Sequence, residues 1–169
     1  MTSKLLVHSH LRDDLKRTIE ITPESAGWKF IGFEVLSLKD GETVSGSTEA
    51  TEVCLVLLSG KANISGADQD FGLLGERMNP FEGLPWSVYL PPHKNWIVTA
   101  QSDVQLAVCR SPATGKFPAR VIAPDEVGEI SRGTGTNQRF IRNILPDTAP
   151  GERSEEHTSE SSHITISYA

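Results

Sequence analysis

EVCLVLL-SG-KANIS, residues Glu52 to Ser65, decides the fold. Six consecutive apolar residues, Val53 to Leu58, stop at Ser59-Gly60, and a shorter run with alternating character follows at once. An apolar run of that length, rich in Val and Leu and closed by a turn pair, is a strand buried on both faces. Similar segments lie on either side. TIEIT (Thr18–Thr22) alternates, and WKFIGFEVLSL (Trp28–Leu38) is aromatic and β-branched before the turn Lys39-Asp40-Gly41. Downstream come WSVYL (Trp86–Leu90), stopped by Pro91-Pro92, then WIVTA (Trp96–Ala100) and VQLAVCR (Val104–Arg110). ARVIA (Ala119–Ala123) and RFIRNIL (Arg139–Leu145) are weaker strand candidates. Short strands about ten residues apart, with Gly, Pro and Asp between them, predict an all-β sandwich or small barrel. Only Pro124–Val127 has any helical character, and no internal repeat is visible.

Alternation assigns the predicted core to Trp28, Phe30, Phe33, Val35, Val53, Leu55, Leu57, Val88, Leu90, Ile97, Val104, Leu106 and Val108. Because both faces of Val53–Leu58 are apolar, the second face should meet another sheet or a second barrel. Left bare, it would make the protein prone to self-association.

The chain has 169 residues and a formal net charge of −6. That acidic balance, with no basic run, argues against a nucleic-acid partner. No segment has the length and apolarity of a signal peptide or a membrane span. Cys54 and Cys109 lie in apolar runs and read as buried free thiols, which places the protein in a reducing compartment, by default the cytoplasm.

RGTGTNQRFIRNILPD (Arg132–Asp147) breaks the pattern. Its crowd of Asn, Gln and Arg side chains needs defined partners to be ordered, and it reads as a fixed connector between two packed bodies. Only twenty-two residues follow it. From Arg153 the composition shifts to RSEEHTSESSHITISYA, which resembles a translated sequencing adapter rather than a natural polar tail. The expected organisation is therefore a barrel over residues 1–130, a linker over 131–152 and a non-native tail over 153–169.

Five runs carry a resemblance to a known family: TPESAGWKFIGFEV (Thr22–Val35), EVCLVLLSGKA (Glu52–Ala62), FGLLGERMNPFE (Phe71–Glu82), SVYLPP (Ser87–Pro92) and the Arg132–Asp147 segment. Together they resemble the two-domain 5-deoxy-glucuronate isomerases of myo-inositol catabolism. The resemblance implies a cupin-type, jelly-roll-like β-barrel, the N-terminal barrel of a bicupin truncated after its interdomain linker. It also implies an intramolecular oxidoreductase that interconverts 5-deoxy-D-glucuronate and 2-deoxy-5-keto-D-gluconate, with a small anionic sugar acid as substrate and a homo-oligomer as an open expectation. The ketol-isomerase of pectin breakdown shares the plan, and a non-enzymatic small-molecule-binding cupin is a third reading.

In such cupins a His-x-His pair, a Glu and a later His hold a divalent metal, and the resemblance puts that site in the C-terminal barrel. Here ETVSGSTEATE after Gly41 lacks histidine, and PPHKNW offers Trp96 where the later ligand is expected. No catalytic, cofactor or metal residue is therefore assigned to this chain. Among individual candidates, the His8/His10 pair has no visible further ligands. His93 reads as a turn residue, and His157 and His163 fall in the suspect tail. Glu52 is expected at the barrel mouth, solvated or paired with Lys or Arg. Arg77, Arg132, Arg139 and Arg142 could line a path for an anionic substrate, although tying the linker to the barrels is the preferred role. Gly133 and Gly135 should supply backbone freedom rather than a phosphate loop, which needs a strand before it and a helix after it.

Overall fold

The computed structural model describes residues 6–146, 149–152 and 166–167. The strands are β1 (Arg17–Ile21), β2 (Gly32–Leu38), β3 (Thr43–Ser47), β4 (Thr51–Ser59), β5 (Ala62–Gly66), β6 (Gln69–Leu74) and β7 (Ser87–Leu90). They continue as β8 (Asn95–Ala100), β9 (Val104–Pro112), β10 (Arg120–Ile122), β11 (Gly128–Arg132), β12 (Arg139–Asn143) and β13 (Ile166–Ser167). Two antiparallel sheets form a cupin-type barrel. One has the order β1-β2-β9-β4-β7-β10 and the other β3-β8-β5-β6, while β11, β12 and β13 form a separate ribbon.

At the centre of the larger sheet, β4 pairs with β9 on one side and β7 on the other, with Cys54 opposite both Cys109 and Tyr89. Val53, Leu55 and Leu57 point into the barrel among Leu36, Leu38, Ile64, Leu90, Val98 and Leu106. Cys54 and Val56 point outward, where Tyr89, Ala107, Cys109, Ile122, Val127 and Ile144 complete a second buried cluster. Each buried Val or Leu stabilises the fold by roughly 1.5–3 kcal/mol. The outer face of β4 is thus covered by the chain's own residues from Ile122 to Ile144, not left bare.

Two strands present the opposite face from the one expected. On β2 the barrel receives Leu36 and Leu38, while Phe33 and Val35 lie on the outer side, Phe33 against the second cluster. On β8 it receives Trp96 and Val98, and Ile97 is 47 % exposed. Trp28 is also 47 % exposed, because the expected Trp28–Leu38 strand begins only at Gly32. Before it stands α1 (Pro23–Ala26), which the sequence reading did not anticipate. Thr22 and Ser25 cap it reciprocally and Gly27 closes it in the left-handed conformation. The edge strands β3 and β6 were also not anticipated: both are short and glycine-containing, β3 is mostly Thr and Ser, and β6 places Gly72 inside its apolar part.

Gly60 fixes the turn after β4. Its φ is +88°, and a Cβ there would lie 2.2 Å from the carbonyl oxygen of Asp103. Gly60→Ala should therefore cost more than about 1 kcal/mol, measurable by denaturant unfolding. A chain ending at Ala123 should lose the cover over Cys54, Val56 and Cys109 and associate. Light scattering that showed a monodisperse monomer would refute this account of the outer face.

Candidate functional site

The parity that sends Leu36 and Leu38 into the barrel sends Glu34 there too, and the parity of Leu106 and Val108 does the same for Arg110. Both charges sit at one end of the interior. Arg110 is opposite Gly32 across the β2–β9 ladder, so no side chain opposes its own on that side, and Val53 of β4 is its partner on the other. Its Nε donates to Glu34 Oε1 at 3.2 Å and its Nη1 to the Ser47 carbonyl at 2.9 Å. Arg110 thereby joins the large sheet to edge strand β3. The pair borders a cleft of about 300 Å³ between the two sheets, closed on one side by residues 14–17 and on another by β3.

Trp96 forms part of the cleft wall. It is 3 % exposed, and its indole lies so close to Gly46 that a Cβ there would come within 2.4 Å of the ring. Its Nε1 is buried and has no hydrogen-bond partner among the described residues. An indole packed on a glycine, with Glu34 and Arg110 beyond, is not a set of donors for a divalent ion. The barrel interior does not fit the metal that the fold implies. Among the described residues no three His, Cys, Asp or Glu gather as a metal site.

The N-terminal segment is held over the cleft by charge. Lys16 Nζ donates to Glu42 Oε1 at 3.0 Å, Arg12 pairs with Glu42, and Arg17 pairs with Asp13 and Glu20. The Lys39 backbone N–H and these cations hold the Glu42 carboxyl down to about 2.

The other sequence candidates are dispersed. His8 and His10 are exposed, and the His10 backbone N–H bonds the Thr18 carbonyl. His93 is exposed in its turn at a φ of 60°. Glu52 is not at a solvated mouth. It shares the outward parity of Cys54 and Val56, is 5 % exposed, and accepts from the Tyr89 hydroxyl at 2.9 Å and the Glu152 backbone N–H at 3.0 Å. Burial, and then the Glu52 charge, push the Tyr89 hydroxyl well up. Burial raises both thiols, Cys109 to about 12, so they stay protonated and inert.

Arg77 is buried and donates to the carbonyls of Leu57, Pro80 and Gly83, which is a structural role. Arg132 is exposed on β11, and Arg142 pairs with Glu129 across the β11–β12 ribbon. The side chain of Arg139, and all of His157 and His163, lie outside the described residues. The segment expected to be a polar connector forms this hairpin, with Ser131 opposite Phe140. Gly133 and Gly135 have φ of 89° and 60° at its tip. Contrary to expectation a strand does precede Gly133, but a single 3₁₀ turn and an antiparallel strand follow it, so no phosphate loop forms. Beyond the hairpin, Glu152 ties the chain back through the backbone N–H groups of Thr114 and Lys116, both at 2.7 Å.

Residues 5–155 match the family model described as KduI/IolB. The chain belongs to the KduI/IolB family. It is 44 % identical over 151 residues to the 5-deoxy-glucuronate isomerases of Geobacillus kaustophilus and Geobacillus thermodenitrificans, covering 89 % of this chain and 55 % of each relative. An IolB-like protein of Salmonella typhimurium superposes with a TM-score of 0.80 at 42 % identity, over 86 % of this chain and 55 % of that one. The chain spans about half the length of the curated relatives it matches.

Glu42 yields a pH prediction. Its folded value lies below its ordinary 4.5, so its contribution to stability is complete above about pH 4.5 and fades as the pH falls towards 2. Glu42→Gln should lower the Tm at neutral pH, with the difference from wild type shrinking between about pH 5 and pH 2. Thermal melts across that range check it; a constant difference would remove Glu42 from the account.

Proposed function

We propose that this chain is the N-terminal part of a 5-deoxy-glucuronate isomerase, which interconverts 5-deoxy-D-glucuronate and 2-deoxy-5-keto-D-gluconate in myo-inositol catabolism. The observation that carries the reading is the 44 % identity over 151 residues to proteins of that name. An aldose–ketose exchange moves a proton between neighbouring carbons and needs a base together with stabilisation of an oxygen that gains charge. The donor set inside this barrel is unsuited to holding a metal, so the chemistry is assigned to the half of the protein that this chain does not span. There a His-x-His, Glu and His set would hold a divalent ion, which supplies carbonyl polarisation when bound.

On this reading the chain alone is inactive, its substrate partner is a small anionic sugar acid bound by the whole enzyme, and the setting is cytoplasmic. The residues from Arg153 onward are proposed to be non-native. The test is to read the gene through the codons for Asp147 and beyond and to assay the full product. Turnover of 5-deoxy-D-glucuronate that a chelator abolishes, with none from residues 1–152, is the expected result. Turnover of only the unsaturated-uronate product of pectin breakdown would reassign the enzyme to the ketol-isomerase reading. A gene that ends with Ala169 would leave a stand-alone binding protein.

A further inference from the structure

We propose that the cleft between the two sheets of this barrel is itself a binding site for a small, hydroxyl-rich molecule of monosaccharide size. The proposal concerns this barrel alone and stands whether or not the isomerase reading does.

Three features of the cleft point to such a ligand. The first is an aromatic wall. Trp96 lines the cleft, and an aromatic ring gives the C–H groups of a ring-shaped polyol an apolar surface to rest on. The second is the state of the Glu34–Arg110 pair. Its bonds occupy Oε1, Nε and Nη1. Among the described residues, Glu34 Oε2 and Arg110 Nη2 remain as one acceptor and one donor beside each other. A vicinal diol, each hydroxyl of which both donates and accepts, matches that arrangement. The third is the bare backbone of the opposite wall. As an edge strand, β3 turns alternate N–H and C=O groups away from β8, and residues 43–46 line the cleft.

Charge balance narrows the class. Lys16 and Arg17 at the rim are already paired with Glu42, Asp13 and Glu20, and Arg110 is paired with Glu34. Among the described residues that line the cleft no uncommitted cation remains to demand a phosphate, and a wall with this many polar groups does not suit an apolar guest. The volume of about 300 Å³ is at the lower end of the range for small-molecule sites, roughly 300–1,000 Å³.

The experiment is a titration of the ¹⁵N-labelled chain with D-glucose, D-glucuronate and myo-inositol, following the indole N–H signals of Trp28, Trp86 and Trp96. The Trp96 signal is assigned by its loss in Trp96→Phe. At least one probe should shift the Trp96 signal saturably, with a Kd on the order of millimolar or tighter, leaving Trp28 and Trp86 in place. Glu34→Gln should weaken that binding about tenfold or more, because it unbalances the pair that receives the diol. Its undisturbed spectrum elsewhere shows that the fold is intact. Should Glu34→Gln not fold, Val44→Trp at the cleft wall serves instead and should abolish the shift by filling the space. The proposal is overturned if no probe gives a saturable Trp96 shift, if all three indoles move together, or if the folded variants bind as wild type does.

Discussion

Strand β4 is apolar on both faces and hydrogen-bonded on both edges, and most of the architecture follows from the need to cover it. Its pairing with β9 and β7 removes its backbone polar groups from water. Its inward side chains then require the second sheet, and its outward ones require something else. A two-sheet barrel meets only the first requirement. The second is met by Ile122, Val127 and Ile144, delivered by a chain that runs back across the outer face. The residues that look like a connector towards another body are therefore also part of this barrel's own packing. That is why the polar hairpin between Val127 and Ile144 can project with both faces wet: its anchors, not its tip, are buried.

A buried carboxylate on the same face reinforces the arrangement. Glu52, directly opposite Ser111 in the ladder, would be costly to bury alone. The Tyr89 hydroxyl and the Glu152 backbone N–H offset that cost, and Glu152 in turn caps the N–H groups of residues 114–116. One acidic residue thus couples the central strand to the last described stretch of the family-matched segment. Where the chain leaves the barrel is set by a hydrogen bond to the core sheet and not by the surface loop alone.

The strong strands were legible because their pattern is strong: β4 and β9 are long and largely apolar, and the short β7 is apolar and stopped by two prolines. The errors come from the period of two. A strand with apolar residues at both parities, such as Phe33-Glu34-Val35-Leu36, does not announce its inner face, and choosing Val35 over Leu36 inverts the whole strand. Ile97 against Trp96 is the same error. Strand β3 was not legible, since an edge strand of Thr, Ser and Gly around a single Val carries little apolar signal, and β6 was not because Gly72 interrupts its short apolar part; both are held by their neighbours' register. Glu52 could have been placed correctly: it shares parity with Cys54 and Val56, so it had to accompany them to the outer face.

The cleft shows how much a single parity decides. Glu34 and Arg110 each end an apolar alternation, two residues beyond Leu36 and Val108 respectively. A sequence reading that looks for histidines at a metal site passes over them. Trp96 shapes the interior beside them. It puts a large ring on Gly46, with the Glu34–Arg110 ion pair bordering the space that remains. Had filling been the sole constraint, the cheapest solution would have been an apolar plug, with Glu34 and Arg110 replaced by residues that need no partner. Inside the barrel the pair is instead fastened to β3 through the Ser47 carbonyl, so one arginine both ties the large sheet to the edge strand of the other and holds polar groups in fixed geometry at the cleft.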